Sequence, residues 1–215
     1  MDCICPDDGI LQEITPGNCP FNMKQIQKLI FATKGKVIWD SEAGGGAGDG
    51  IPSATAQVDL LADWQARRTA VDNTKMVITP FIGGDPIITA GEPITEGGGD
   101  NSTLNGVIEN TGTNPSDFTA IFKSISPEQE AQMKALACKD LEVYFVLEGN
   151  RIACAKNGDL LQRKGFDIQS FFFGDRNNAG FGTKDSNAIS FSLPAGWSEG
   201  LVLVTPSDFN ALLDL

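Results

Sequence analysis

Five cysteines are the residues of this 215-residue chain best suited to metal or redox chemistry. Cys3, Cys5 and Cys19 lie in the first twenty residues, whereas Cys138 and Cys154 lie far along the chain. An odd number of cysteines cannot form a complete disulfide framework. A zinc site would need a fourth ligand from elsewhere, and the chain has no histidine to supply it. The pattern favours reduced, partly buried thiols, and we expect no metal or other cofactor.

The residues expected of a hydrolase or a sugar-binding protein are also sparse. Without histidine no Ser or Cys has its usual base, and no G-x-S-x-G motif is present. The carboxylates are scattered, so glycoside hydrolysis would require an acid pair that forms only in the folded chain. Trp39, Trp64 and Trp197 are candidates for an exposed carbohydrate-binding groove, although Trp64 reads as helix core. We expect that the protein is not an enzyme.

The net charge of -12 limits the partners that the chain could bind. It repels phosphate backbones, and no cluster of Lys and Arg along the sequence supplies a basic patch. DNA is therefore expected to pass nearby without specific binding. No apolar run is long enough to span a bilayer and the acidic start is unlike a secretory signal, so we expect no membrane contact and synthesis in the cytoplasm.

The length fits one domain, and the pattern divides it into an extended arm at residues 1–21 and a β-rich domain at residues 22–215. "QIQKLIFATKGKVIWD" predicts a hairpin through a Lys-Gly-Lys turn, with a short helix around Met23 to Leu29 as the alternative. "SEAGGGAGDG" is typical of a linker or mobile loop. "SATAQVDLLADWQARRTA" predicts an amphipathic helix. Residues 75–125 are strand-like, and Pro86 to Asn110 has the weakly apolar pattern of a projecting hairpin.

The second half of the chain has the clearest local signals. "SISPEQEAQMKALACKD" predicts a helix with Ser126 as N-cap, Gln129 closing a capping box, and an apolar stripe of Met133, Leu136 and Ala137. "LEVYFVLEGNRIACA" predicts two strands joined by a turn. "FDIQSFFFGDRNNAGFGTKDSNAISFSL" predicts a strand, a long polar loop and a returning strand, and "LVLV" a last strand. The fold class is mainly β with one or two helices (α+β): a β-sandwich or barrel-like sheet flanked by a helix, with a projecting hairpin.

Three stretches together resemble a known group of proteins. "CPFNMKQIQKLIF", the capped helix leading into "LEVYFVLEGN", and "SFFFGDRNNAGFGTKDSNAISFSLPAGWSEGLVLVTPSDFNAL" resemble virion structural proteins of tailed bacteriophages that infect Bacteroidetes. The order of elements resembles the tail-tube fold. The resemblance implies a homo-oligomer of stacked six-membered rings that conducts DNA inside the virion and contacts other virion proteins. A head decoration, neck or connector protein is the alternative, and a carbohydrate-binding module is a second one.

The ring interpretation assigns contacts between copies to the hairpin, to the triple-Phe strand and to the polar loop that follows. In this interpretation Phe171 to Phe173 form a central strand covered on both faces, and the loop is shaped by contacts between subunits. Replacing Phe172 with Asp is expected to damage assembly or folding, whereas changes at Asn177 and Asn178 should affect assembly alone. The candidate contact residues are Thr95, Asp100, Asn101, Phe172, Asn177, Asn178 and Phe181.

Overall fold

The computed structural model describes residue 14 and residues 21–40, 57–99, 102–157 and 162–215. Most of the predicted arm and the Gly-rich tract at 41–50 lie outside these residues. The elements are β1 (Ile26–Thr33), β2 (Trp39–Asp40), α1 (Leu61–Thr69), β3 (Val77–Ile78), β4 (Ile87–Thr89), β5 (Pro93–Glu96), a 3-10 turn (Leu104–Gly106), β6 (Glu109–Thr113), β7 (Ser116–Lys123), α2 (Pro127–Lys134), β8 (Leu141–Leu147), β9 (Arg151–Lys156), β10 (Gln162–Lys164), β11 (Phe166–Asp167), β12 (Gln169–Phe173), β13 (Ser186–Leu193) and β14 (Leu201–Val204).

The strands form two main antiparallel sheets and one small one. The larger sheet has the order β2-β10-β9-β8-β1-β3, with β11 added beside β8 and β14 beside β9. The second sheet has the order β12-β13-β7-β4, and among the described strands β5 and β6 pair only with each other. The fold class predicted from the sequence is confirmed: the protein is mainly β, with curled sheets and two short helices.

The first core lies between the two large sheets and follows from strict alternation. In β7 and β13 every second residue is buried, including Phe118, Phe122 and Phe191, while the residues between them face outward. Phe191 stacks on Phe118 with ring centroids 4.5 Å apart. The opposite wall comes from β1 and β8, where Phe31 and Phe145 pack against the same cluster. These two faces make the sandwich.

β8 is buried along its whole length because it has a core on each side. Leu141, Val143, Phe145 and Leu147 share the face toward the first core, as predicted. The other face contributes to a second core, which α1 and the C-terminal segment cover. The core position predicted for Trp64 is confirmed: it is buried in this second core and stacks on Trp39 with centroids 4.3 Å apart. The apolar run of β8 is therefore that of a central strand.

The α2 helix begins as its sequence indicates. The Ser126 side chain accepts a hydrogen bond from the Gln129 backbone N–H at 3.2 Å, and the Gln129 side chain accepts one from the Ser126 backbone N–H at 2.9 Å. Met133 and Leu136 are buried as expected. Ala137 is exposed, so the prediction that it belongs to the apolar stripe is wrong.

One pairing and one strand position predicted from the local sequence are wrong. β1 does not form a hairpin with β2: it pairs with β8 and β3, whereas β2 pairs with β10. The helix considered as its alternative is absent, since the range from Ile26 is a strand. The triple-Phe strand β12 is not central either, because it has β13 on one side and is the edge of the second sheet. Phe173 is buried, but Phe172 is 58% exposed.

Among the described residues, neither helix reaches the length and apolar character that crossing a bilayer requires. The predicted last strand is confirmed as β14, which pairs with β9. The segment after it is fixed to the larger sheet by polar side chains. Lys28 donates through Nζ to the backbone carbonyls of Leu212 and Leu215 at 2.9 and 2.8 Å. Asn150 accepts a hydrogen bond from the Ala211 N–H at 2.7 Å.

Candidate functional site

The β5–β6 hairpin spans residues 93–113, and the side chains of its described residues, 93–99 and 102–113, lie largely in solvent. The hairpin begins and ends a few residues later than the sequence predicted. The predicted range included β4, which pairs with β7 and belongs to the second sheet. Leu104, Val107 and Ile108 are 81%, 57% and 66% exposed. At its base the backbone of Gly91 meets that of Asn114 so closely that a Cβ there would lie 1.8 Å from the Asn114 oxygen. The hairpin thus leaves the sandwich through a tight crossing.

All the charged residues of the hairpin are acidic. No Lys or Arg occurs between Lys75 and Lys123, a stretch that contains six acidic residues. Glu96 and Glu109 lie directly opposite each other across the hairpin, and both are exposed. Like charges at paired positions destabilise a two-stranded sheet. A cation brought by another molecule would relieve this repulsion.

The second candidate surface is the polar loop at residues 174–185, between β12 and β13. Arg176 holds it to α2 and to the residue before the N-cap of α2: it donates to the Ile125 carbonyl at 2.9 Å and lies 3.4 Å from Glu130. Lys134 forms ion pairs with Glu130 and with Asp175. The hydrogen bonds from Lys134 and Arg176 lower the pKa of the Glu130 carboxyl below its ordinary value. The loop is anchored by its own chain.

Asn177 and Asn178 shape the loop itself. The backbone of Asn177 exchanges two hydrogen bonds with Ser186, at 2.7 and 3.0 Å. The Asn178 side chain donates to Asp185 at 2.8 Å and accepts from the Gly180 N–H at 3.1 Å. Hydrogen bonds within one chain thus hold the loop in shape, and the contacts between subunits expected from the sequence stay a prediction.

The two candidate surfaces lie at opposite ends of the second sheet. β6 leads within three residues into the Ser116 end of β7, whereas the loop ends beside Lys123, since Ser186 pairs with Lys123. Seven residue steps separate these ends, or roughly 23 Å at about 3.3 Å per residue. The contact residues predicted from the sequence therefore do not form one site.

The candidate residues divide between the two ends. Thr95 lies exposed on β5, at the hairpin end. Phe172 lies exposed on β12, and Phe181, near the tip of the loop, is fully exposed. Asn177 and Asn178 are exposed on the same loop. Asp100 and Asn101 lie outside the described residues.

A third feature was missed at the sequence level: a basic groove between α1, β3 and the residues that follow α2. Its cations are Arg68, Lys75 and Lys139, and all three are exposed. The expectation that the chain has no basic patch is therefore wrong, because three separate segments supply these cations. Only the adjacent Arg67 and Arg68 gave any signal in the sequence.

The groove has an apolar floor and a volume of about 500 Å³, and an adjoining cavity of about 270 Å³ shares part of its wall. Met76, Val77, Ile78 and Leu136 form the floor. The Met76 N–H donates to the Arg67 carbonyl at 3.0 Å, which places β3 beside the end of α1. Among the described residues that line either cavity, Asp72 is the one carboxylate. It lines the smaller cavity and accepts hydrogen bonds from Thr74. No ion pair involving Arg68, Lys75 or Lys139 occurs within the described part of the chain.

Two carboxylates that are distant in the sequence, Glu142 and Asp167, are cross-strand partners on β8 and β11. Glu142 has no exposed surface, and its oxygens accept hydrogen bonds from Tyr144 and the Gly35 N–H, both at 3.2 Å. Burial raises the pKa of the Glu142 carboxyl. Asp167 lies 3.2 Å from Lys34. Through these hydrogen bonds Glu142 joins β8 to the turn after β1 in the interior of the fold.

The remaining candidate side chains are also accounted for. Trp39 and Trp64 are fully buried against each other, and Trp197 is half-buried against Phe166, so the exposed aromatic groove considered for carbohydrate is not formed by these residues. Cys154 is buried, which raises the pKa of its thiol to about 12, and Cys138 is exposed. Cys3, Cys5 and Cys19 lie outside the described residues. Within the described ranges no group of His, Cys, Asp and Glu has the arrangement of a metal site.

Comparison with known proteins gives little information on identity. No protein family model matches the sequence, and no curated protein does so. A chain in the solved structure titled "Virion of native gene transfer agent (GTA) particle" is similar, with a TM-score of 0.33 and 10% sequence identity. The match covers 57% of this chain and 84% of that chain. A TM-score this low does not establish a common fold.

Proposed function

We propose that this chain is a structural protein of a tailed-phage virion and that its copies form the tail tube, as stacked rings around a DNA conduit. The observation that carries the proposal is the placement of two exposed, differently built surfaces at opposite ends of one sheet. The hairpin is acidic with apolar side chains at its end, whereas the other end carries the anchored loop and the basic groove. The resemblance in sequence described above supports the same function.

A chain with different surfaces at its two ends associates head to tail. Such heterologous contacts close into rings or continue as open stacks, in contrast to the self-complementary patches of a two-fold dimer. The edge strands β4 and β12 offer further pairing positions at the sides of the second sheet, and Ile87 and Phe172 are exposed there. Lateral contacts through these edges would form the ring, and axial contacts through the two ends would form the stack.

The charge of the chain suits a conduit. A net charge of -12 disfavours strong binding of DNA, so DNA would move past the assembled protein without being held. The proposal includes no catalytic step and no cofactor. Its partners are other copies of the chain and other virion proteins, and its location is the virion.

Electron microscopy of the concentrated, negatively stained protein tests this function. Rings or tubes with a central channel are the expected result. Small closed oligomers without a channel would contradict the tail tube and favour a head decoration, neck or connector protein. A protein that stays monomeric at all accessible concentrations, also when added to purified tail tips as an initiator, would contradict self-assembly altogether.

A further inference from the structure

The basic groove and the acidic hairpin are complementary surfaces on one chain. We propose that the groove formed by Arg68, Lys75 and Lys139 binds the β5–β6 hairpin of a second copy. The inference rests on the proposed self-assembly and names the two surfaces that meet. It concerns residues that no family match or sequence motif assigns.

Charge is the first argument. The hairpin, residues 93–113, contains three acidic residues and no Lys or Arg. Its paired Glu96 and Glu109 repel each other within one copy. The groove has the reverse imbalance, with three exposed cations and no carboxylate among the described residues that line it, while Asp72 lines only the adjoining cavity. Docking would pair each uncompensated group with opposite charge and would select this partner over others.

Apolar surface is the second argument. Leu104, Val107 and Ile108 are exposed at the end of the hairpin, away from the sandwich. The groove floor consists of Met76, Val77, Ile78 and Leu136. An interface with an apolar centre and charged rim is the usual arrangement of a specific protein contact. Both surfaces have these two components.

The geometry requires two copies. Within one chain the backbone runs from the groove at Val77 through Gly83, which bonds Ile121, to Thr89, which pairs with Asp117, and only then enters the hairpin. The groove therefore lies on the Lys123 side of the second sheet and the hairpin at the Ser116 end. The hairpin of one copy would fill the groove of the next copy, and the repeated contact would extend the stack.

Charge reversal on each surface and a combined swap test the inference. The groove variant carries Arg68→Glu and Lys75→Glu, the hairpin variant carries Glu96→Lys and Glu109→Lys, and the swapped protein carries all four changes. The control is Lys24→Glu with Lys156→Glu, two exposed lysines outside both surfaces that change the net charge as the groove variant does. The concentration at which half of the protein is assembled is measured by sedimentation velocity.

Each one-sided variant should raise that concentration by about ten-fold or more, because like charges would then face each other across the contact. For the swapped protein and for the control, the concentration at half assembly should lie within about three-fold of that of the native chain. The swap restores opposite charges across the contact, and the control leaves both surfaces unchanged. Circular dichroism and urea unfolding test whether each variant is folded. If a reversed variant does not fold, Lys75→Gln and Glu96→Gln replace it, with smaller expected losses.

The outcomes separate this inference from the proposed function. Normal tubes from both one-sided variants would overturn the groove contact and leave the tail tube intact. Loss of assembly in both variants without rescue by the swap would also overturn it. If groove reversal leaves assembly unchanged but abolishes binding of double-stranded DNA, the groove is a nucleic-acid site instead. A native chain that never assembles would overturn both proposals.

Discussion

Phe172 and Phe173 are adjacent in sequence but face different surroundings. Phe173 is 5% exposed and packs near Phe122, whereas Phe172 is 58% exposed on the edge strand. Phe173→Asp should therefore lower the free energy of unfolding by about 3 kcal/mol or more, because it places a carboxylate in the core. Phe172→Asp should change it by less than about 0.5 kcal/mol.

If the edge of β12 is a ring contact, Phe172→Asp should nevertheless prevent assembly. Urea unfolding of the two variants, followed by electron microscopy of the folded one, gives both results. Normal tubes from Phe172→Asp would remove this edge from the interface.

Glu142 should make stability depend on pH. Burial raises the pKa of its carboxyl in the folded chain above the ordinary value of about 4.3. The folded state then holds the proton more tightly than the unfolded state. The stabilisation is complete below the ordinary pKa and is lost as pH rises through the raised value.

Glu142→Gln removes this titration, although it also disturbs the bonds to Tyr144 and Gly35. The excess stability of the native chain over the variant should therefore shrink as pH rises from about 4 to about 8. Urea unfolding across this range measures it. A difference between the native chain and Glu142→Gln that stays constant across this range would contradict the prediction.

At the scale of single residues, the sequence predicted which side chains of a strand share a face. It did not predict which strand lies at the edge of a sheet. Ile189, Phe191 and Leu193 share a buried face as their spacing indicates. The same rule gave Phe172 a covered position because alternation reports the two faces of a strand and not its place in the sheet order. The position of β12 in the sheet depends on which strands pair with it, and the residues of β12 alone do not determine that.

The hairpin is the element whose removal distinguishes folding from assembly. Within the described part of the chain its two strands pair only with each other, and its described side chains lie outside both cores. Replacing residues 94–112 with Asn-Gly, a turn that suits the facing positions Pro93 and Thr113, should leave the free energy of unfolding within about 0.5 kcal/mol of the native value. Tubes should be absent from the same preparation.

A matched control is available in the same region. Thr111→Ser retains the hydroxyl that donates to the Ile94 carbonyl at 3.1 Å, so it should preserve both stability and assembly. A hairpin-deleted protein that still forms tubes would show that the hairpin is not an axial contact.

The elements themselves were largely predictable where their signals are local. The capping box of α2 and the β8–β9 turn, where Gly149 has a φ of 82°, depend on neighbouring residues and were predicted correctly. The β1–β8 pairing joins residues more than a hundred positions apart, and no local pattern encodes it. The Lys-Gly-Lys turn after β1 therefore suggested a hairpin that the fold does not contain.

At the scale of the whole molecule, the separation of the two ends makes the assembly polar. A hairpin-deleted chain retains its groove and loop, so it should bind the free hairpin of a growing stack and offer none in return. Substoichiometric amounts added to the native chain should shorten the tubes, as measured by their length distribution in electron micrographs. The protein carrying both the hairpin deletion and the groove reversal should have no such effect.

The whole-molecule features were the least visible in the sequence. Arg68, Lys75 and Lys139 come from three segments that only the folded chain brings to one groove. The acidic hairpin could have been recognised as a long interval without Lys or Arg. Its partner could not, because complementarity is a property of two surfaces and each is built from distant parts of the chain.

The continuous pairing of β7 with β13 also has a mechanical consequence. Eight residue pairs, from Ser116 with Leu193 to Lys123 with Ser186, follow one another without a bulge along the line between the two ends. A pulling or bending force that enters at the hairpin and leaves through the loop would act parallel to these strands. All the interstrand bonds would then be loaded together in shear and could not be peeled apart one by one. A stack of such subunits would be stiff along its length.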